Sequence, residues 1–461
     1  MDEEYISTTK LAKLLNKSGP ELFQLLDEKQ WIHKVDNSWV LLSKAELEGA
    51  KYNQNDKGEK WAVWPVSIID NQKFKLDISG DIQLKKRKFK LPGEDDLNKD
   101  QDRVYDLPED GQYLIVGGPG TGKSVVALLR AMKYHQNNDY VFLTFNKVLL
   151  SATNQLVEIR LNNNTLKSWF YKLQYNCTHE YMPQQDDYKP DYDEVISRFD
   201  KLEVTPRSLH IIIDEGQDMP FKFYESLMYC GYENFFVVAD QNQQITDENC
   251  TRQELTDLLG LEIEDVIELK ENYRNSHPVA ILSREFFTDP SSPAPELPPR
   301  SRASLGTPIM YEYTNYHECI KLILREADRD NRNLIGVVVA NDNIKDTYVK
   351  ALEAQEINLD NPRPIISTYS SKDTKSPNIN FGYNGIVVLN DKSIKGLEFD
   401  IVYIVVDGFK VYNNDIDSMK KRFYVMSSRA IKKLGMFKSK NYASGVEKIL
   451  PDETILKRED I

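Results

Sequence analysis

Eight residues, Gly117-Gly-Pro-Gly-Thr-Gly-Lys-Ser124, bring glycines, a lysine and a hydroxyl together at a spacing that suits a polyphosphate. Glycines at 117, 120 and 122 let the backbone fold tightly and turn its N–H groups inward. The start of the following helix adds its positive end to the same concave site. In this pattern Gly117, Gly120, Thr121 and Gly122 wrap the phosphates and Lys123 reaches the β- and γ-phosphates. The Ser124 hydroxyl holds Mg²⁺. The expected ligand is a nucleoside triphosphate. A second set of groups is Ile211-Ile-Ile-Asp-Glu-Gly-Gln-Asp218, an apolar run ending in paired acids. Asp214 is suited to holding Mg²⁺, and Glu215 to orienting and deprotonating an attacking water.

Such groups need a scaffold that brings strand ends together. The phosphate loop follows the apolar run Tyr113–Val116 and enters a helical pattern at Val125–Leu129. Further strand patterns recur at Tyr140–Leu143, Leu209–Ile213 and Phe235–Ala239, with helical stretches between them. That alternation predicts a parallel sheet with crossover helices, whose ligands gather at the carboxyl ends of the strands. Past the proline-rich stretch Asp289–Pro299, read as a loop or a domain-joining segment, strand patterns resume. They lie at Leu334–Ala340, Ile365–Thr368, Gly385–Leu389 and Ile401–Val406, and predict a second α/β domain.

The N-terminal stretch reads differently. Thr8–Leu15 and Glu21–Leu26 have helical apolar spacing around a Ser18-Gly-Pro20 break. Trp31-Ile32 and Ser38–Leu42 then alternate like two strands about an Asp36-Asn37 turn. Two helices and a hairpin match a winged helix, which serves in protein docking or plain structural packing, or in DNA contact. The expected architecture is a winged-helix-like α+β module at 1–70, a charged linker at 71–96, and two α/β domains at 97–275 and 276–461. The basic run Lys85-Lys-Arg-Lys88 with Lys90 reads as a solvated linker or a phosphate-contacting strap.

Composition narrows the class. The 461 residues are 40% apolar, enough for several cores, and contain no apolar run long enough to span a membrane. Four scattered cysteines without a C-x-x-C pair, and six unclustered histidines, argue against a disulfide framework and a zinc site. They fit a reducing cytoplasm, as does the acidic start MDEEYISTTK, which has no secretory apolar core. A net charge of −13 disfavours broad electrostatic capture of nucleic acid but leaves room for a local groove.

The ordered motifs resemble those of superfamily 1 helicases, the group that includes UvrD and Rep. Leu97–Gln101 is similar to the adenine-reading Q motif, which gives Gln101 the base edge. Leu143–Lys147 and Thr165–Trp169 resemble motifs Ia and Ib, which lie along the nucleic-acid strand and point to Phe145, Asn146, Thr165 and Ser168. Ala239–Gln243 resembles motif III, whose glutamine, here Gln243, senses the γ-phosphate. Leu269–Arg274 resembles motif IV, which implies that Tyr273 stacks on the base and Arg274 contacts the γ-phosphate. Ser393–Asp400 matches motif V, coupling nucleotide to strand through Glu398 and Ser393. Tyr424–Ala430 matches motif VI, with Arg429 as an arginine finger from the second domain.

The resemblance implies two RecA-like P-loop NTPase domains with ATP and Mg²⁺ between them. It also implies a single-stranded DNA track travelled 3′ to 5′, with RNA left open. Where the family carries stacking aromatics after motif III, this chain has Gln244–Cys250, and Phe145, Trp169 and Phe170 are the available substitutes. Short spacers between Trp169 and Asp214, and between Arg274 and Ser393, leave little room for accessory domains. The expectation is an ATP-dependent motor that works with a protein partner, such as a nuclease or recruitment factor held by residues 1–70, in defence or DNA repair. The alternative is a nucleotide-gated switch that controls a partner without processive unwinding.

Overall fold

The structure is a computed structural model. It describes residues 4–461 other than 16, 36–37, 56–57, 59, 72–73, 75–76, 79–84, 88, 138, 158, 186–188, 203–205, 244–248, 289–293, 303, 371–376, 378 and 412–414. The Asp36-Asn37 turn, most of the stretch after Gln243 and the first half of the proline-rich segment therefore lie outside the described residues. The chain divides into two compact units, Met1–Lys85 and Lys86–Ile461.

In the first unit, Ser18 caps the helix Gly19–Glu28 reciprocally with Glu21, and Pro20 opens the first turn. The helix Thr8–Leu14 precedes it, and the strands Ile32–Val35 and Ser38–Leu41 pair antiparallel after it. A small antiparallel sheet was not foreseen: Lys60–Pro65 lies between Tyr5–Ser7 and Lys51–Gln54. Trp31, Trp64 and Phe74 pack against one another at its centre, and the Trp64 indole donates to Thr8 Oγ1 at 2.9 Å.

The stretch 71–96, expected as a linker, is shared between the units. Phe74 and Ile78 are buried in the first unit's core, and Leu91 is buried in the second. Arg87 is ion-paired with Asp400 at 2.9 Å.

The second unit holds two α/β domains of the RecA-like kind, each built on a parallel sheet. The first sheet runs in the order Ile267–Leu269, Gln112–Gly117, Tyr232–Ala239, Arg207–Ile213, Tyr140–Thr144, Asn163–Thr165. Its strands are apolar on both faces because helices cover both. Leu114, Val116, Ile211 and Ile213 join one core, while Ile115, Ile212 and Val238 join the other. The second sheet runs Ile366–Thr368, Gly385–Asn390, Leu334–Val339, Phe399–Val405, Ala430–Ser439, Ile309–Tyr313, Lys457–Asp460. The two domains are closed on each other. Val148 and Ala152 of the helix Lys147–Leu156 share a core with Leu397 and Phe399, and a Cβ on Gly396 would come within 2.6 Å of Leu149 Cδ2. Among the described residues, no helix is long and apolar enough to cross a membrane.

Candidate functional site

Four neighbouring strands of the first sheet end at one edge, and each delivers part of a single constellation. Gln112–Gly117 leads into the phosphate loop, and Arg207–Ile213 into Asp214 and Glu215. Tyr232–Ala239 leads into Asp240 and Gln243, and Ile267–Leu269 into Asn272, Tyr273 and Arg274. All run parallel, so their carboxyl ends coincide.

The loop requires its glycines. Gly120 and Gly122 have φ of +75° and +88°, a region costly for other residues. A Cβ on Gly120 would lie 2.5 Å from Asn272 Oδ1. The Tyr273 amide donates to the Gly120 carbonyl at 2.8 Å and Thr121 Oγ1 to Gly118 O at 2.9 Å, closing the turn. The helix Lys123–Lys133 then starts with its amides toward the loop. Lys123 Nζ donates to the carbonyls of Gly117 and Gly118 at 2.7 and 2.8 Å and lies 3.9 Å from Asp240. Burial pushes its ammonium below the usual lysine range, which favours an anion beside it.

Ser124 Oγ donates to Asp214 Oδ1 at 2.9 Å. Burial, and then the neighbouring Glu215, raise the Asp214 carboxyl to about 7. A hydroxyl and a carboxylate side by side at a phosphate loop are hard oxygen donors that fit Mg²⁺, which keeps several waters and takes few protein ligands. Among the described residues, no group of three or more His, Cys, Asp or Glu side chains is placed to hold a metal ion.

Glu215 sits at φ +59° and accepts from Gln217 Nε2 at 2.7 Å. Burial opposes its charge, but Lys395 and Arg429 more than offset that and hold it below the usual range. Both cations come from the second domain. Lys395, fully buried, donates to Asp218 Oδ2 at 2.6 Å and to Gln243 O at 2.5 Å, and lies 3.5 Å from Glu215 Oε2. Arg429 Nη2 donates to Gln243 Oε1 at 2.7 Å, and Gln243 Nε2 in turn to Asp240 Oδ2 at 2.6 Å. Asn275 Nδ2 donates to the carbonyls of Ser428 and Ala430, which flank Arg429, at 2.9 and 2.6 Å. Arg274 pairs with Glu398 at 2.5 Å, an ion pair between the two domains.

At the expected base end, Tyr273 is exposed, with the Arg302 guanidinium 5.8 Å from its ring centre and Asn98 Nδ2 donating to its hydroxyl at 2.7 Å. Gln101 is turned inward: Nε2 donates to Thr121 O at 2.9 Å and Oε1 accepts from Asn98 N at 3.1 Å. In this arrangement it braces the loop instead of presenting its amide to a base. Pro295, from the described half of the proline-rich segment, lies over Gly118, where a Cβ would come within 2.6 Å of its ring.

The residues expected along a strand are more scattered. Asn146 and Thr165 cap the helices Lys147–Leu156 and Leu166–Thr178, and Ser168 is exposed in the first turn of the latter. Phe145 lies half-buried with Lys395 Nζ 5.8 Å from its ring centre. Phe170 is in the core against Phe223 and presents no stacking face, while the half-buried Trp169 packs on Tyr232. Ser393 is buried, its amide bonded to Asn390. Beside it lies an open groove of about 370 Å³, lined by Asn341, Asp342, Asn390, Asp391, Lys392 and Arg422.

Lys395, Asp218, Asp240 and Asn275 carry much of this geometry and had no role in the sequence reading. Their signal was a charged or amide residue within an otherwise buried motif. Their partners lie in other motifs, 177 residues away for Lys395 and Asp218.

Residues 103–248 match the family model of the AAA domain, a span that includes the phosphate loop, Asp214-Glu215 and Gln243. A comparison with curated proteins returned no match. Among solved structures, the chain is similar to the C-terminal domain of a possible DNA helicase from Lactobacillus plantarum WCFS1. That likeness has 14% identity over 40% of this chain and 98% of that one, with a TM-score of 0.28. It is also similar to the Arterivirus nonstructural protein 10 helicase, with 12% identity over 91% and 75% of the two chains and a TM-score of 0.32. The PRRSV helicase shares 11% identity over 84% and 62%, with a TM-score of 0.35.

Proposed function

We propose that the chain is an ATP-dependent nucleic-acid motor of the superfamily 1 helicase kind, hydrolysing ATP between its two RecA-like domains. The observation that carries this reading is the convergence of Lys395 and Arg429, from one domain, on Glu215, Asp218 and Gln243 of the other. Phosphoryl transfer needs positioning and charge neutralisation more than covalent work by the protein. In this reading Lys123 and the loop amides hold the phosphates, and Ser124 and Asp214 hold Mg²⁺, which supplies charge neutralisation. Glu215 takes the proton of the attacking water, and Arg274 and Arg429 face the γ-phosphate. Gln243 joins the γ-phosphate to both domains, so turnover is tied to closure. Tyr273 and Glu398 border the nucleoside.

The track in this reading is single-stranded DNA, travelled 3′ to 5′, with RNA as the variant. The strand lies across Phe145, Asn146, Thr165, Ser168 and Ser393. Residues 1–70, as a winged-helix-like module in the cytoplasm, recruit a partner for defence or repair. The burial of Phe170 favours weak strand grip, since base stacking contributes about 1–3 kcal/mol per base. It gives specific weight to a second reading, a nucleotide-gated switch. ATP turnover with and without single-stranded DNA, duplex DNA and single-stranded RNA separates the two: a motor is stimulated by its track and a switch by none.

A further inference from the structure

Cys177 and Cys230 are 53 positions apart in sequence, yet their sulfurs lie 3.6 Å apart. Cys177 is the penultimate residue of the helix Leu166–Thr178, and Cys230 follows the helix Phe221–Tyr229. Both therefore sit at helix ends, where small side-chain rotations can bring the sulfurs to bonding distance. Arg207 holds the pair from a third element: Nη2 donates to Cys177 Sγ at 3.4 Å and Nε to the Cys230 carbonyl at 2.8 Å. Cys177 is partly accessible, whereas Cys230, Cys250 and Cys319 are buried.

From this geometry we infer that Cys177 and Cys230 form a redox modification site, closed to a reversible disulfide by hydrogen peroxide. The contact with Cys230, and then the Arg207 guanidinium, lower the Cys177 thiol, so it is the attacking sulfur. Burial raises Cys250 to about 12, leaving it inert by comparison. The Cys177 thiolate attacks one peroxide oxygen; the S–O bond forms, the O–O bond breaks, and hydroxide leaves as water after protonation. Cys230 loses its proton and attacks the Cys177 sulfur; the S–S bond forms and the S–O bond breaks, releasing a second water. Two thiols are oxidised and one peroxide is reduced to two waters.

The pair lies at the opposite end of the sheet from the acids beside the phosphate loop. Arg207 and Cys230 stand at the starts of the strands whose far ends carry Asp214 and Asp240. Strands of seven and eight residues, at about 3.3 Å each, lie between. Oxidation should therefore leave basal ATP turnover unchanged while raising the unfolding temperature, because the link closes a long loop.

The test treats the reduced full chain with graded hydrogen peroxide, then maps peptides by mass spectrometry with and without dithiothreitol. The expected result is a Cys177–Cys230 linked peptide pair that dithiothreitol reverses and that C177S abolishes. C230S should stop at a sulfenic acid on Cys177, trapped by dimedone. Oxidation elsewhere with 177 and 230 unlinked, or alkylation of Cys177 no faster than of Cys319, would overturn the inference.

Discussion

Arg429 Nη2 donates to Gln243 Oε1 at 2.7 Å, joining residues 186 positions apart and two separate sheets at one buried point. Gln243 also holds Asp240, which faces Lys123, so a change at the phosphate reaches Arg429 through two side chains. Burial, and then the neighbouring Arg274, lower the Arg429 guanidinium to about 10, so its charge is costly without an anion to meet it.

Replacing Arg429 with Ala should lower kcat by about 10³-fold or more while nucleotide still binds, as expected of a cation that acts on the transferring phosphoryl group. Arg429→Lys should not restore it, because an ammonium cannot reach Gln243 and a phosphate together. Steady-state turnover alongside fluorescent nucleotide binding checks both. An equal loss of binding and turnover would make Arg429 a structural residue.

Lys395→Met should destabilise the fold by about 3–5 kcal/mol, because it strands Asp218 and Glu215 in a buried site. Adding Asp218→Asn should recover part of that loss. Denaturant unfolding of the two single variants and the double variant reads the coupling; strict additivity would mean that the pair does not interact.

Stability should fall as pH rises from about 4 to about 7 in the absence of nucleotide. Four buried carboxylates, Asp214, Glu215, Asp218 and Asp240, face three largely buried cations, Lys123, Lys395 and Arg429. Burial, against the pull of Lys395, leaves Asp218 raised to about 7. In the unfolded chain an aspartate titrates near about 3.9, so from there to about 7 the folded state keeps a proton that the unfolded state has released. This contribution is complete below the unfolded value and is lost as pH rises through about 7. Asp218→Asn should flatten the fall in unfolding temperature, and parallel curves would contradict the assignment.

Glu215→Gln should bind ATP normally and stall hydrolysis, since the amide keeps the contact with Gln217 but cannot take a proton. Single-turnover kinetics with a binding assay decides; weakened binding would place Glu215 in ligand positioning.

The strands with unbroken apolar runs were legible in the sequence. Tyr140–Thr144, Arg207–Ile213 and Leu334–Val339 match their patterns to within two residues because both faces are buried. Ala430–Ser439 was not legible. Its Lys432 and Lys433 pair with Asp400 and Glu326, partners that a local pattern does not reveal. Asn163–Thr165 and Ile267–Leu269 are three residues each, too short to show a period. Of the site, the residues within each motif could be read, but not the bonds between motifs. The inward turn of Gln101 onto Thr121 and the burial of Lys395 depend on how the sheets meet.

The central claim is tested most directly by ATP hydrolysis of the purified chain, alone and with single-stranded DNA, duplex DNA or single-stranded RNA, using Lys123→Ala as the blank. The account predicts turnover that Lys123→Ala abolishes and that one single-stranded polymer strongly stimulates. Turnover that persists in Lys123→Ala, or that is indifferent to all three polymers, would contradict it.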